Sequence, residues 1–504
     1  MLVTARVTLL YLSLAIALPL SLAATLFEGG TVIAFDDTTQ RLRVIRDGAV
    51  LVDGNTITGV YSSNEVRTLP PDTETVDITG DIISTGFVDT HRHVWQTAYR
   101  SIGSNTSLAE YLVLYSPFGS PYRAWTPDDI YISQLMGWYD ALNGGTTTIL
   151  DHAHGAWTAE HSQAALQATF DSGARAFWSY WFQGQPLPDT ITFDEQIAFV
   201  TNLSRSGVFD NSPSELGIAY DAFTPNDPAG ARRVLDLARE LNVSSLSTHA
   251  MLGPYGVENN PSDVNSFGFL NQSIPVIFGH ASYITESDSA LLRQYNHYIS
   301  ITPESEMHFG HDHPVTHLVQ DQASLGVDCG WTYSGDILTQ ARIWLQVVRR
   351  TLYREVLQRR QVPSNNPMSV EQAFLLATRN GGLALRRPDI GVLAEGAKAD
   401  LLVWNGQSLN MLGWDDPVAA VILHANIGDL KHVMVDGVFK KRDYKLLVEG
   451  YEALRSRFLE TARKIQAVYK DAAKNITYEG ANQIGSVYVP TFEADVLRGS
   501  GTGY

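Results

Sequence analysis

Ile82-Ile83-Ser84-Thr85-Gly86-Phe87-Val88-Asp89-Thr90-His91-Arg92-His93 is the stretch that decides how this chain is read. Up to Thr90 it is rich in β-branched and apolar residues, which predicts a strand, and in a strand the side chains at i and i+2 point to the same side. His91 and His93 then converge on one point at the strand's C-terminal end, which is half of a metal site. On spacing alone a His-Xaa-His pair is as readily a surface accident. Its weight comes from what the rest of the chain places at other strand ends.

Working outward, short β-branched or aromatic runs alternate with longer amphipathic ones from residue 82 to about 388, the pattern of a parallel β/α architecture. Further strands are expected at 146–151, 174–180, 216–220, 243–249, 275–280, 297–302 and 325–328. Helices are expected at 128–142, 160–171, 229–241, 286–295 and 336–359, where apolar residues fall at helical spacing. Eight strands suggest a closed (β/α)8 TIM barrel, which carries its site at the C-terminal strand ends. His91, His93, Asp151, His249, His280 and Asp328 finish these strands, and metal-binding residue types recurring there are hard to explain as packing.

The domain plan is a leader over 1–23, a barrel over 81–389, a small β-sandwich composed of 24–80 and 390–445, and a tail over 446–504 that is helical to about 473. A Gly54-Asn55 turn between alternating runs marks the N-terminal part of the sandwich as a β-meander. In the leader, Arg6 precedes an apolar run over 7–20, and Ser21-Leu22-Ala23 supplies small residues for cleavage after Ala23. A membrane anchor is the competing reading, and the apolar run is short for a span. The leader predicts a secreted or secretory-lumen protein, with no membrane contact after cleavage. Asn-Xaa-Ser/Thr acceptors at Asn105, Asn202, Asn242, Asn271 and Asn475 are then expected to carry glycans.

Composition narrows the partners. The chain has 504 residues, 54 acidic against 36 basic, and its first lysine is Lys398, so nucleic acid and anionic membranes are not expected. A small-molecule substrate is expected, and a homo-oligomer is open. Cys329 is the sole cysteine, so no intrachain disulfide exists and stability rests on the core.

Gly86-Phe87-Val88-Asp89-Thr90-His91-Arg92-His93 resembles the first-strand motif of the amidohydrolase superfamily, and Gly145-Thr146-Thr147-Thr148 its second-strand entry. The stretch 393–403 resembles the family's return into the β-sandwich, and Val435-Asp436-Gly437 its last hairpin. The similarity runs from about residue 25 to 445, and it is strongest to the branch of cytosine and guanine deaminases and triazine hydrolases. It implies one divalent ion, zinc with iron as the alternative, held by His91, His93, His249 and Asp328. Two-metal members bridge their ions with a carboxylated lysine, and no lysine lies between His93 and Lys398. His280 matches a histidine that stands beside the metal water.

The chemistry implied is hydrolytic, with Asp328 shuttling the water's proton and His280 orienting the attack on an sp² carbon that bears nitrogen. Deamination of a heterocycle and opening of a cyclic amide share that step. Deaminases of this branch carry a glutamate three residues after the fifth-strand histidine, whereas His249-Ala250-Met251-Leu252 places leucine there. Glu306, with Glu304 beside it, is the nearest candidate acid by topology, and both are equally readable as solvated loop carboxylates. Trp95, Gln96, His154 and His308 are candidate substrate contacts. Tyr99, Tyr111 and Tyr115 could extend an aromatic wall, and His152, His311 and His313 could line the pocket or lie on the surface. Cys329 is expected to be buried and inert. The alternatives are a metal-dependent decarboxylase or lyase and, last, a non-catalytic binding protein.

Overall fold

A computed structural model describes residues 23–474, except 64, 66, 185, 225–227, 258 and 313–314, together with 487–491. The expected leader therefore lies outside the described residues but for Ala23, as do Asn475 and His313.

Eight parallel strands stand side by side in chain order: Phe87–Arg92, Thr146–Ala153, Arg175–Phe182, Glu215–Tyr220, Leu246–Met251, Val276–Ser282, Tyr298–Ile301 and Ala323–Leu325. Parallel neighbours need long crossovers, and helices such as Pro127–Asn143, Ala159–Ser172, Pro228–Leu241 and Glu286–Tyr295 supply them. Local sequence sets their ends. Thr126 and Asp129 form a capping box before Pro127–Asn143, and Gly173, at φ 61°, terminates Ala159–Ser172 in the left-handed region. Helices cover the outside of the barrel while side chains fill its inside, so the first three strands are buried along their whole length.

The ring closes between its first strand and the residues just after its last. Val327 and Asp328 N–H both donate to the His91 carbonyl, at 3.2 and 2.8 Å, and His93 N–H donates to the Asp328 carbonyl at 3.2 Å. The site residues thus sit on the seam.

Residues 82–90, read as one strand, form two. Ile82–Thr85 pairs with Leu401–Trp404 in a second sheet, and Phe87–Arg92 enters the barrel. Gly86 makes the transfer: its N–H donates to the Asp400 carbonyl at 2.9 Å, and a β-carbon there would stand 2.1 Å from Thr147 Oγ1. The second sheet is mixed and nine-stranded, and it gathers both ends of the chain. Its N-terminal part is the meander Thr25–Asp36, Arg41–Asp53 and Thr56–Tyr61, and its C-terminal part is Leu401–Trp404, Leu430–Val435, Val438–Arg442 and Lys445–Leu446. Arg175 of the third barrel strand ties the bodies together through Asp400, at 2.9 and 3.2 Å, and Asp436, at 2.7 Å.

The tail helix Tyr451–Ala473 folds back on the barrel's first crossover. Ile465 and Tyr469 bury against Tyr99, Tyr115 and Trp125, and Trp125 Nε1–H donates to Tyr469 Oη at 3.1 Å. No described helix is long and apolar enough to cross a membrane.

Candidate metal centre

Strand alternation brings His91 and His93 to the C-terminal mouth of the barrel, where the fifth and sixth strands present His249 and His280 and the seam presents Asp328. Glycine makes the room. A β-carbon on Gly279 would lie 2.9 Å from the His91 ring, and one on Gly326 would lie 2.8 Å from the His91 carbonyl. Ligand-type atoms of His91, His249, His280 and Asp328 all fall within 4.8 Å of one another, and those of His93, Asp328 and Cys329 do the same. His93 Nε2 is 3.0 Å from Asp328 Oδ1, and His91 Nε2 is 3.6 Å from the same oxygen. His280 and Asp328 both sit at positive φ, 65° and 62°, a backbone state that costs energy for non-glycine residues and concentrates at functional sites.

Hydrogen-bond partners fix which nitrogens are free. A carbonyl can only accept, so His93 Nδ1, 2.9 Å from the His152 carbonyl, carries the proton. His249 Nδ1 lies 3.1 Å from the Asp221 carboxylate and carries its proton likewise. In its neutral, ligand form each ring aims an Nε2 lone pair inward, the two nitrogens 3.2 Å apart. Buried His91 has no hydrogen bond at either ring nitrogen. Nitrogen lone pairs that converge beside a carboxylate are what a divalent metal requires of its ligands, so these residues fit such an ion.

The electrostatics agree. Burial drives the pKa of His91 well down and that of His93 down, against the pull of Asp328, which keeps both imidazoles in the neutral ligand form. Burial alone would raise Asp328, but the imidazoles of His91, His93 and His280 beside it hold it well below the usual carboxylate range. Asp221 is likewise held low, its burial outweighed by His249 and His152. In turn, His249 is raised, because the charge and hydrogen bond of Asp221 exceed the cost of burial.

Asp221 had not been singled out by sequence. It follows the fourth strand and accepts His249 N–H at 2.7 Å and Trp181 Nε1–H at 2.9 Å, and it contacts His152 Nε2 at 3.1 Å. His152 is correspondingly no loop residue: the second strand continues to Ala153, and the ring is buried. The available signal was a polar residue directly after a strand, since the fourth strand ends at Tyr220 as expected and Asp221 is the next residue. The other strand-end acid, Asp151, points away from the cluster and braces Gln134 Nε2 at 2.6 Å and Val94 N–H at 3.3 Å.

A cavity of about 340 Å³ opens over the cluster, lined on its inner side by His93, His249, His280, Asp221 and Asp328. His154 lines it, stacked on His93 at 3.7 Å, and Tyr111 and Cys329 line it too. Trp95 and Gln96 do not. Trp95 stands behind His154, donating to its Nδ1 at 2.9 Å, and Gln96 stands behind Tyr111, donating to its hydroxyl at 3.3 Å, so both support the wall rather than face the cavity. His308 turns toward Phe309 and Tyr333, and His311 lines the cavity in its place. Cys329 is buried, its thiol pKa is pushed well up by burial, and its S–H donates to Asp328 Oδ1 at 3.3 Å.

Neither glutamate faces the cavity. Glu306 is buried behind His280, with Oε1 3.4 Å from Nδ1, and it accepts Thr302 N–H at 2.8 Å and Thr302 Oγ1–H at 3.1 Å. Glu304 is bonded to Ser334 and, at 3.1 Å, to Gln340. Because the Thr302 hydroxyl donates to Glu306, its oxygen accepts from His280 Nδ1 at 3.0 Å, which leaves His280 Nε2 as the free nitrogen.

The sequence profile of the amidohydrolase family matches residues 82–440. A 5-methylthioadenosine/S-adenosylhomocysteine deaminase of Pelotomaculum thermopropionicum is 25% identical over 431 residues, covering 84% of this chain and 94% of its own. Its counterpart in Thermococcus kodakarensis is 24% identical over 412 residues, covering 79% and 90%. Among solved structures, a zinc-bound adenosine deaminase from Xanthomonas campestris superposes with a TM-score of 0.74 at 20% identity, covering 88% of this chain and 99% of that one. These relatives correct one expectation. They are deaminases of bacteria and archaea, a kinship that points away from a secreted or secretory-lumen protein. With that location goes the reason to read glycan acceptors into Asn105, Asn202, Asn242 and Asn271, which are simply exposed.

Proposed function

The chain belongs to the amidohydrolase family and is a metal-dependent hydrolase of carbon–nitrogen bonds; from that premise we propose that it deaminates a small heterocycle, with one divalent ion, zinc, held by His91, His93, His249 and Asp328. The observation that carries this reading is the pair of bare Nε2 lone pairs of His93 and His249, 3.2 Å apart beside the Asp328 carboxylate. Such an ion supplies Lewis acidity and an activated water when bound.

The chain's own residues do the rest. Asp328 takes the proton of the attacking water at one carboxylate oxygen and passes it to the leaving nitrogen, while Ser305 Oγ–H, 2.5 Å from Oδ2, holds the carboxylate in place. His280, fixed at Nδ1 by Thr302, offers Nε2 to orient the attack. Asp221 holds the His249 ring by both the side chain and the backbone N–H. Tyr111, His154 and Trp181 exclude water from the reacting ring.

One observation favours a second reading. No glutamate lines the cavity among the described residues, and Leu252 does not line it either. A cyclic amide, whose opening does not need a ring nitrogen protonated from that position, is therefore the alternative substrate.

Elemental analysis joined to a product screen tests both readings. The expected result is about one zinc per chain, with ammonia released from at least one heterocyclic amine. Ring-opened product without ammonia selects the cyclic amide. Two tightly held ions would defeat the mononuclear assignment, and carbon dioxide as the product would move the chain to a lyase. In either hydrolytic case Asp328→Asn should abolish turnover while keeping part of the metal, because an amide oxygen can coordinate but cannot carry the proton.

A further inference from the structure

The cavity walls differ in character from its floor. Leu108, Leu112, Phe118, Trp181, Met251 and Phe309 make its sides, and no lysine or arginine lines it among the described residues. The chain as a whole carries a formal charge of −18 and has no lysine before Lys398, so no long cation from a neighbouring loop of the barrel is available beyond scattered arginines.

An anionic group carried on an arm along these side walls would lose part of its water against apolar side chains with no lysine or arginine there to pair with, whereas an uncharged arm loses little and gains contact with the aromatic faces. We propose that the site takes an uncharged, predominantly apolar heterocycle and rejects one bearing a carboxylate or phosphate on the arm that extends from the reacting ring toward Phe118. This rests on the cavity being the substrate site of the hydrolase. Phe118, half exposed and 5.3 Å from the Trp181 ring, marks the mouth where such an arm would lie.

Titration calorimetry on the zinc-loaded protein tests it with a matched pair: a heterocyclic amine carrying a carboxylate on a side arm, and its methyl ester. The ester should bind at least about tenfold more tightly, since a carboxylate at this mouth gives up part of its water without gaining a partner. Phe118→Arg, a change at an exposed position, should cut the ratio by about tenfold or more by supplying the missing cation. Binding of the two within roughly threefold of each other, a preference for the carboxylate, no binding by either, or a ratio indifferent to Phe118→Arg would each overturn the proposal. An ester that binds with the expected preference yet is never hydrolysed supports this inference and sinks the proposed reaction instead.

Discussion

Replacing Asp221 by asparagine separates two jobs that one carboxylate performs. Oδ1 accepts from His249 N–H at 2.7 Å and His249 Nδ1–H at 3.1 Å, while Oδ2 accepts from Trp181 Nε1–H at 2.9 Å and faces His152 Nε2 at 3.1 Å. An amide has one oxygen. If that oxygen stays with His249, the new NH₂ faces Trp181 and His152. His152 can accept by changing tautomer, because its other nitrogen faces the rotatable Ser247 hydroxyl at 3.0 Å. The indole N–H cannot change, so one buried donor is left unmatched at a cost of about 1–3 kcal/mol. Separately, loss of the carboxylate behind a ligating histidine lowers metal affinity by roughly 10–100-fold. The two losses are measured apart, the first by urea denaturation of the apo protein and the second by zinc competition with a chelator. Trp181→Phe in the Asp221→Asn background removes the stranded donor and should recover stability while leaving zinc binding weak. Zinc affinity within about threefold of wild type in Asp221→Asn would refute the reasoning, because His249 would then be oriented by something other than this carboxylate.

Acid should attack the fold at His297, whose Nδ1 accepts Val276 N–H at 3.0 Å while its Nε2–H donates to the Leu270 carbonyl at 2.7 Å. Burial pushes its pKa from 6.5 down to about 4, so its contribution is complete above pH 6.5 and is lost as pH falls toward 4, about 3 kcal/mol in all; urea titrations across that window should show a shallower acid limb in His297→Gln. Arg175→Met leaves Asp400 buried without its cationic partner, and denaturation should record a loss of about 3–5 kcal/mol; a loss below about 1 kcal/mol would show that the Asp436 N–H and water suffice for Asp400. Glu306→Gln should leave zinc content unchanged and lower kcat by about tenfold through looser placement of His280, and an unchanged kcat would remove Glu306 from the site.

How much of this was legible follows from period and position. Strand alternation gave His91 and His93 a shared direction, and the recurrence of His249, His280 and Asp328 at later strand ends needed only the order of elements. Helix limits came within a residue or two because capping residues such as Thr126 and Thr285 announce them. Gly86 was harder: nothing in the apolar run says that its two halves pair in different sheets, and only the close approach of Thr147 requires glycine there. For His152 the sequence left pocket lining, support of a ligand and a surface position all open, and Asp221 and Trp181 escaped because their roles depend on several strands meeting at one point. The same holds for Trp95 and Gln96, whose side chains point toward the wall's reverse side for reasons of packing alone. Resemblance supplied the ligand set but not the direction of Glu306, which the Thr302 bonds decide.

The seam between the first strand and residue 328 makes the order of synthesis matter. His91, His93, His249 and His280 leave the ribosome well before Asp328, yet the carbonyl of His91 receives its partners only from Val327 and Asp328. A growing chain therefore holds a set of soft nitrogen donors around a gap in an unfinished circle, and the one anionic oxygen arrives with the residues that shut it. Contacts that distant along the chain form late. A divalent ion offered during that interval would meet imidazoles without the Asp328 carboxylate, and on the proposed mechanism turnover would wait until the circle is complete. The last residue to join the cluster is thus the one proposed to carry the proton, so on that proposal an immature chain would be an inactive one.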